Sequence, residues 1–123
     1  MTGATFENGI VTSPHYLASR AGRDVLKKGG NAVEAAIAVA ATLAVVYPHM
    51  TGLGGDSFWL AQSPDGARFA IDACGAAGEH VSLDLYANAG MVTIPFRGPL
   101  AAITVAGTVA GWDRRLTEVN STV

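Results

Sequence analysis

Between residues 15 and 48 the apolar positions follow a helical period twice, with two glycines between the two stretches. In the first, Leu17, Ala21 and Val25 fall on one face while Arg20, Arg23, Asp24 and Lys27 occupy the other. This spacing predicts an amphipathic helix over residues 15–28, ended by Lys27 and Lys28 where cations suit the helix dipole and by Gly29 and Gly30 as a left-handed stop. Asn31 then stands as an N-cap with Glu34 three residues on, a variant of the capping box, so a second helix starts at Ala32 and runs to the stop at Pro48. Its apolar residues Val33, Ile37, Val39, Leu43, Val45 and Val46 surround the axis, which requires protein cover on both sides. Ahead of these helices, Gly9 to Ser13 (GIVTS) reads as a short buried strand.

Past Pro48 the period shortens to two. Ser57 to Gln62 and Ala67 to Asp72 predict two strands joined by Ser63-Pro64-Asp65-Gly66, in which Pro and Gly suit the fixed and positive φ of a tight turn. Residues 75–90 carry a weak pattern with a short helix at Ser82 to Ala89, and Met91 to Pro99 is a loop. Ile103 to Val105 is a brief strand, and Val109, Trp112, Leu116 and Val119 place a last helix over 108–119. The elements together predict a mixed α/β (α+β) fold.

At 123 residues the chain, 1–123, is one domain or part of one. Half of it is apolar and 15% is charged, more apolar than an ordinary domain of this size, so it buries most of its surface or lacks a partner chain. The net charge of −2 offers no basic footprint for nucleic acid or an anionic membrane. The apolar run Ala32 to Val46 falls short of the roughly 20 residues that a membrane span needs. One cysteine, Cys74, cannot form an internal disulfide, and Met1 to Asn8 has neither a basic region nor an apolar signal core, which makes a cytoplasmic setting the expectation.

The glycine-rich run Thr51-Gly52-Leu53-Gly54-Gly55-Asp56-Ser57 invites a phosphate-binding reading. Its context argues against one: the loop follows a helix and enters a strand, and no Lys-Ser/Thr pair makes a P-loop. The stronger reading is that these glycines let backbones approach closely or turn sharply. His15, His49 and His80 are too dispersed for a metal signature, and neither metal nor cofactor is expected. His15 belongs to the start of the first helix, and a structural hydrogen bond is the expected role of His49. Cys74 follows a strand end, where a reactive group is well presented, but a small buried hydrophobe is the favoured role, since no neighbour in sequence would lower its pKa. Asp72 and Glu79 read as turn and surface carboxylates. Thr108 follows a glycine, as a nucleophile released by cleavage would, yet it begins a helix and reads as an ordinary N-cap.

The segments Gly30-Asn31-Ala32-Val33-Glu34-Ala35-Ala36 and Pro48-His49-Met50-Thr51-Gly52-Leu53-Gly54-Gly55 resemble two hallmark stretches of the γ-glutamyltransferase superfamily. The resemblance covers Gly9 to about Asp72 and resumes at Ile103 to Asp113, ITVAGTVAGWD. It implies the N-terminal portion of the large subunit of a self-cleaving N-terminal-nucleophile (Ntn) hydrolase, an αββα four-layer sandwich that this chain leaves incomplete. The implied chemistry is an acyl-enzyme formed on a threonine that cleavage exposes at the start of the small subunit, outside this chain. The implied partners are the rest of the large subunit, the small subunit and a small-molecule amide. No catalytic residue is then expected in this chain, which alone is expected to be inactive.

One departure bears on substrate. Members of the family that use glutathione carry an arginine for the α-carboxylate just after the second hairpin strand, in a pattern like Asp-x-Arg-Glu. Here that place reads Asp72-Ala73-Cys74-Gly75, so Cys74 takes the arginine position as the candidate substrate-binding residue. A thiol cannot supply a bidentate fork. The resemblance therefore points to the oxamate amidohydrolase-like branch, acting on oxamate-like or acyl amides. From other classes, a noncatalytic oligomerising scaffold that uses the apolar helix as an interface is the main alternative, and a nucleotide-binding module is a weaker one.

Overall fold

The computed structural model describes residues 9–120, with only the backbone described over 115–120. The reading of Met1 to Asn8, and the side chains of Leu116 and Val119, lie outside the described residues. Two compact units emerge: the described residues up to Leu53 together with those from Trp112 on, and Gly54–Gly111.

The first unit is built on α1 (Tyr16–Lys27) and α2 (Ala32–Val46), which pack on each other. His15 caps α1 through Nδ1, which accepts from the Leu17 amide at 3.3 Å. Gly29, at φ +88°, ends it as expected, whereas Gly30 has no positive φ and is instead crowded by Val25. The capping box of α2 is complete: Asn31 Oδ1 accepts from the Val33 and Glu34 amides at 2.9 and 3.0 Å, and Glu34 Oε2 accepts from the Asn31 amide at 2.8 Å. Gly22 makes the close helix approach possible, since a Cβ there would lie 2.7 Å from Val39 Cγ2 and 3.1 Å from the Ala35 carbonyl. Ala18, Gly22 and Ala35 are buried in this contact.

One expectation is corrected here. Residues 9–13 form no strand: a ladder needs a hydrogen-bonding neighbour, none is present for them among the described residues, and Ile10 is exposed. The cover that α2 requires on both sides is not supplied by the described residues, because Ala35 is its single buried residue and Val45 is 77% exposed. No helix among the described residues is long and apolar enough to cross a membrane.

The second unit centres on an antiparallel hairpin of β1 (Ser57–Gln62) and β2 (Arg68–Ala73), registered from Ser57↔Ala73 to Gln62↔Arg68. The second strand thus begins and ends one residue later than its pattern suggests. Gly66 takes φ +89° in the turn and its amide returns to the Ser63 carbonyl. Alternation puts Trp59, Ala61, Phe69 and Ile71 on a half-buried face and leaves Phe58 and Leu60 73% and 82% exposed on the other. Beyond the hairpin lie α3 (Leu83–Asn88), capped by Ser82, a 3-10 turn at Pro99–Ala101, and the start of α4 (Thr108–Asn120). The brief strand expected at Ile103 to Val105 reduces to one antiparallel bridge, Ala77↔Thr104.

Candidate functional site

The end of the hairpin, the loop that feeds it and the first turn of α4 meet within the second unit. The Gly55 carbonyl gathers three donors: the Gly107 amide at 3.1 Å, the Thr108 amide at 3.0 Å and the Thr108 hydroxyl at 2.8 Å. A carbonyl oxygen has two lone pairs, so three donors saturate it and fix its direction. Such an approach demands small residues on both sides. A Cβ at Gly107 would fall on the Ala73 carbonyl, and one at Gly75 would fall on the Val105 carbonyl. One turn further on, a Cβ at Gly111 would stand 2.7 Å from Ala73 Cβ and 2.9 Å from Ser57 Oγ. Ser57 Oγ and Trp59 Nε1 are buried in this region without a hydrogen-bond partner.

Asp56, next to the fixed carbonyl, accepts from the Gly75 amide at 3.3 Å through Oδ1, while Asp72 Oδ1 accepts from the Cys74 amide at 2.9 Å. Cys74 is therefore held between two carboxylates at the hairpin end. Its thiol is pushed up to about 11, first because it donates to Asp72, then through loss of solvation and the charges of Asp72 and Asp56. The same bonds, from the Cys74 thiol and then its amide, hold Asp72 below the usual carboxylate range. Near neutral pH this is a protonated thiol, neither a nucleophile nor a cation.

Several expectations change. Cys74 is exposed and not a buried hydrophobe, because it continues the alternation of β2 on the side of Arg68, Ala70 and Asp72, all exposed. Thr108 is not the N-cap of α4: Gly107 holds that position, its carbonyl accepting from the Gly111 amide, and the Thr108 hydroxyl donates across the fold instead of back into its own helix. Thr108 is also 5% exposed inside an intact helical turn, which leaves it no role as a released nucleophile. His49, expected to make a structural hydrogen bond, packs its ring against Tyr47 with centroids 4.2 Å apart. Gly52, Gly54 and Gly55 have neither positive φ nor a crowded Cβ position, and the close approaches of the second unit lie instead at Gly75, Gly107 and Gly111. No set of three or more His, Cys, Asp or Glu side chains able to hold a metal occurs among the described residues.

Asp56 and the Gly107–Thr108 clamp are the parts that sequence reasoning missed. The signal for the clamp is the four-residue spacing of Gly107 and Gly111, which puts two side-chain-free positions on one face of a helix.

Residues 18–120 match the sequence profile of the family described as Gamma-glutamyltranspeptidase. Over 109 residues, 89% of this chain, the sequence is 56% identical to the oxamate amidohydrolase proenzyme of Klebsiella pneumoniae subsp. pneumoniae, and that match spans 20% of the relative. It is 54% identical over 110 residues, again 89% of this chain, to the glutathione hydrolase-like YwrD proenzyme of Bacillus subtilis, covering 21% of it. The crystal structure of Helicobacter pylori gamma-glutamyltranspeptidase superposes with a TM-score of 0.83 at 33% identity, over 95% of this chain and 34% of that one. The chain thus spans about a fifth of the curated relatives and carries an incomplete portion of the Ntn-hydrolase α/β fold they share. Matched over most of its length by profile, sequence and structure, this chain belongs to the gamma-glutamyltranspeptidase family.

Proposed function

We propose that this chain is the N-terminal part, a single partial domain, of a self-processing amidohydrolase that cleaves a small oxamate-like amide. The acyl-enzyme forms on a threonine outside residues 1–123, exposed as the new N-terminus of a small subunit. The rest of the large subunit and that small subunit are the partners, and they cover the apolar surface left open on α2 and on the outer face of the hairpin. A cytoplasmic setting belongs to the same proposal.

The observation that carries the substrate reading is the acidic corner around Cys74. Where glutathione-using relatives are expected to place an arginine, Asp72 and Asp56 face a protonated thiol. An α-carboxylate of a γ-glutamyl group gains no fork there, since a neutral thiol stands where the cation would be. In oxamate the carboxylate adjoins the scissile carbonyl, whereas in a γ-glutamyl group it lies several bonds away. The two substrates therefore need their cations in different places, and the hairpin corner is the wrong place for the second. Identity is 56% to the oxamate amidohydrolase proenzyme, 54% to the glutathione hydrolase-like YwrD proenzyme and 36–40% to three glutathione hydrolase proenzymes, so identity sets this chain apart from the last three and leaves the substrate reading on the hairpin corner.

Steady-state hydrolysis by the processed enzyme tests this. Oxamate is expected to exceed a γ-glutamyl anilide in kcat/KM by about tenfold or more, and Cys74→Arg to narrow that gap. A native preference for the γ-glutamyl compound would overturn the substrate assignment.

A further inference from the structure

The three bonds at the Gly55 carbonyl come from residues 52 and 53 positions away in sequence, and they stop one residue short of Asp56. From Asp56 the connection continues to the Gly75 amide, and the Gly75–Val105 and Gly107–Ala73 approaches leave no room for the backbone to drift. The Thr108 hydroxyl is the side-chain member of this chain of contacts. Its backbone amide would stay in place after substitution; its hydroxyl bond would not. A threonine spent wholly on α4 would cap or lie along its own helix, yet this one donates to another segment while buried.

We infer that Thr108 is a positioning residue for the hairpin corner: by directing the Gly55 carbonyl it seats Asp56 against the Cys74–Gly75 turn, the position that the proposed substrate reading puts to use. It rests on that reading for its importance to turnover, but not for its geometry. The groups that face Cys74 are Asp72 from the end of β2 and Asp56 from the loop before β1, both acidic. Asp72 is fixed by the local turn and is independent of Thr108. Asp56 is held through Gly55. Loosening the clamp should therefore remove the Asp56 share of the effect on the thiol and leave the Asp72 share.

The test is the pH profile of Cys74 alkylation by iodoacetamide in the full chain, compared among wild type, Thr108→Val, Thr108→Ser and Asp56→Asn, each native and in urea. Native wild type should titrate near 11 and its urea-unfolded form as an ordinary thiol. Thr108→Val should raise alkylation at constant pH by about threefold, half a pKa unit, while Thr108→Ser restores the wild-type profile. Asp56→Asn should match Thr108→Val, and the double variant should add nothing further. A wild-type profile identical in native and urea conditions overturns the inference, as does a native Thr108→Val with an unchanged profile. If Thr108→Val titrates like the unfolded chain, Asp56→Asn decides alone, and an unchanged profile there is equally fatal. Because alkylation requires no turnover, failure here is distinct from failure of the substrate reading.

Discussion

Replacing Gly111 by alanine sets helix propensity against packing, and the structure says which wins. Alanine is favoured over glycine within a helix by about 0.8–1.0 kcal/mol, so propensity alone predicts a more stable protein. The new methyl, however, would sit 2.7 Å from Ala73 Cβ and 2.9 Å from Ser57 Oγ. Carbon atoms prefer about 3.5–4.0 Å, so the first contact is short by roughly 1 Å. Ala73 is buried at the end of β2 and cannot swing away as a long side chain would. Overpacking of this kind costs typically about 1–3 kcal/mol; with Ala73 pinned in the strand, the middle of that range outweighs the propensity gain and leaves a net loss of about 1 kcal/mol. Urea denaturation of wild type, Gly111→Ala, Ala73→Gly and the double variant measures it. The signature is coupling: Gly111→Ala should be less harmful on the Ala73→Gly background, because the methyl it strikes is gone. An alanine variant as stable as wild type, or additive effects of the two substitutions, would refute the close approach at this helix start.

Asn31→Ala should cost about 1 kcal/mol by urea denaturation and Asn31→Asp much less, since only the first removes the acceptor for two amides. At the hairpin corner, Asp72 has its pKa lowered on folding, so its contribution is present above the ordinary aspartate value and is lost as pH falls through the lower folded one. Cys74 works in the opposite sense: its contribution is complete below 9.0 and disappears as pH rises through about 11. Thermal melts of Asp72→Asn against pH should show a flatter acid limb, and those of Cys74→Ser a flatter alkaline limb. Unchanged limbs would remove these groups from the account.

What the sequence revealed was written in local chemistry. The cap at Asn31, the positive φ of Gly29 and the turn at Gly66 each act over a few residues, and their elements appear within a residue or so of the positions their patterns predict. What it concealed depends on distant partners. A strand at residues 9–13 needs a neighbour to pair with, which periodicity does not supply. The Thr108 bond reaches back to Gly55 across nearly half the chain. The glycines that most resemble a ligand loop, Gly52, Gly54 and Gly55, have open space at their Cβ positions, whereas Gly75, Gly107 and Gly111, crowded by backbone or side chains of distant segments, lie outside any glycine-rich run. The family was legible all the same, because its hallmark stretches coincide with the capping box of α2 and the loop after it.

The central claim is that this chain opens a self-processing precursor whose nucleophile lies elsewhere. Intact-mass measurement of the active protein that carries these residues tests it most directly. The account predicts two polypeptides whose masses sum to that of the precursor, the smaller beginning with threonine and the larger containing residues 1–123. A single uncut polypeptide with full amidohydrolase activity would contradict it.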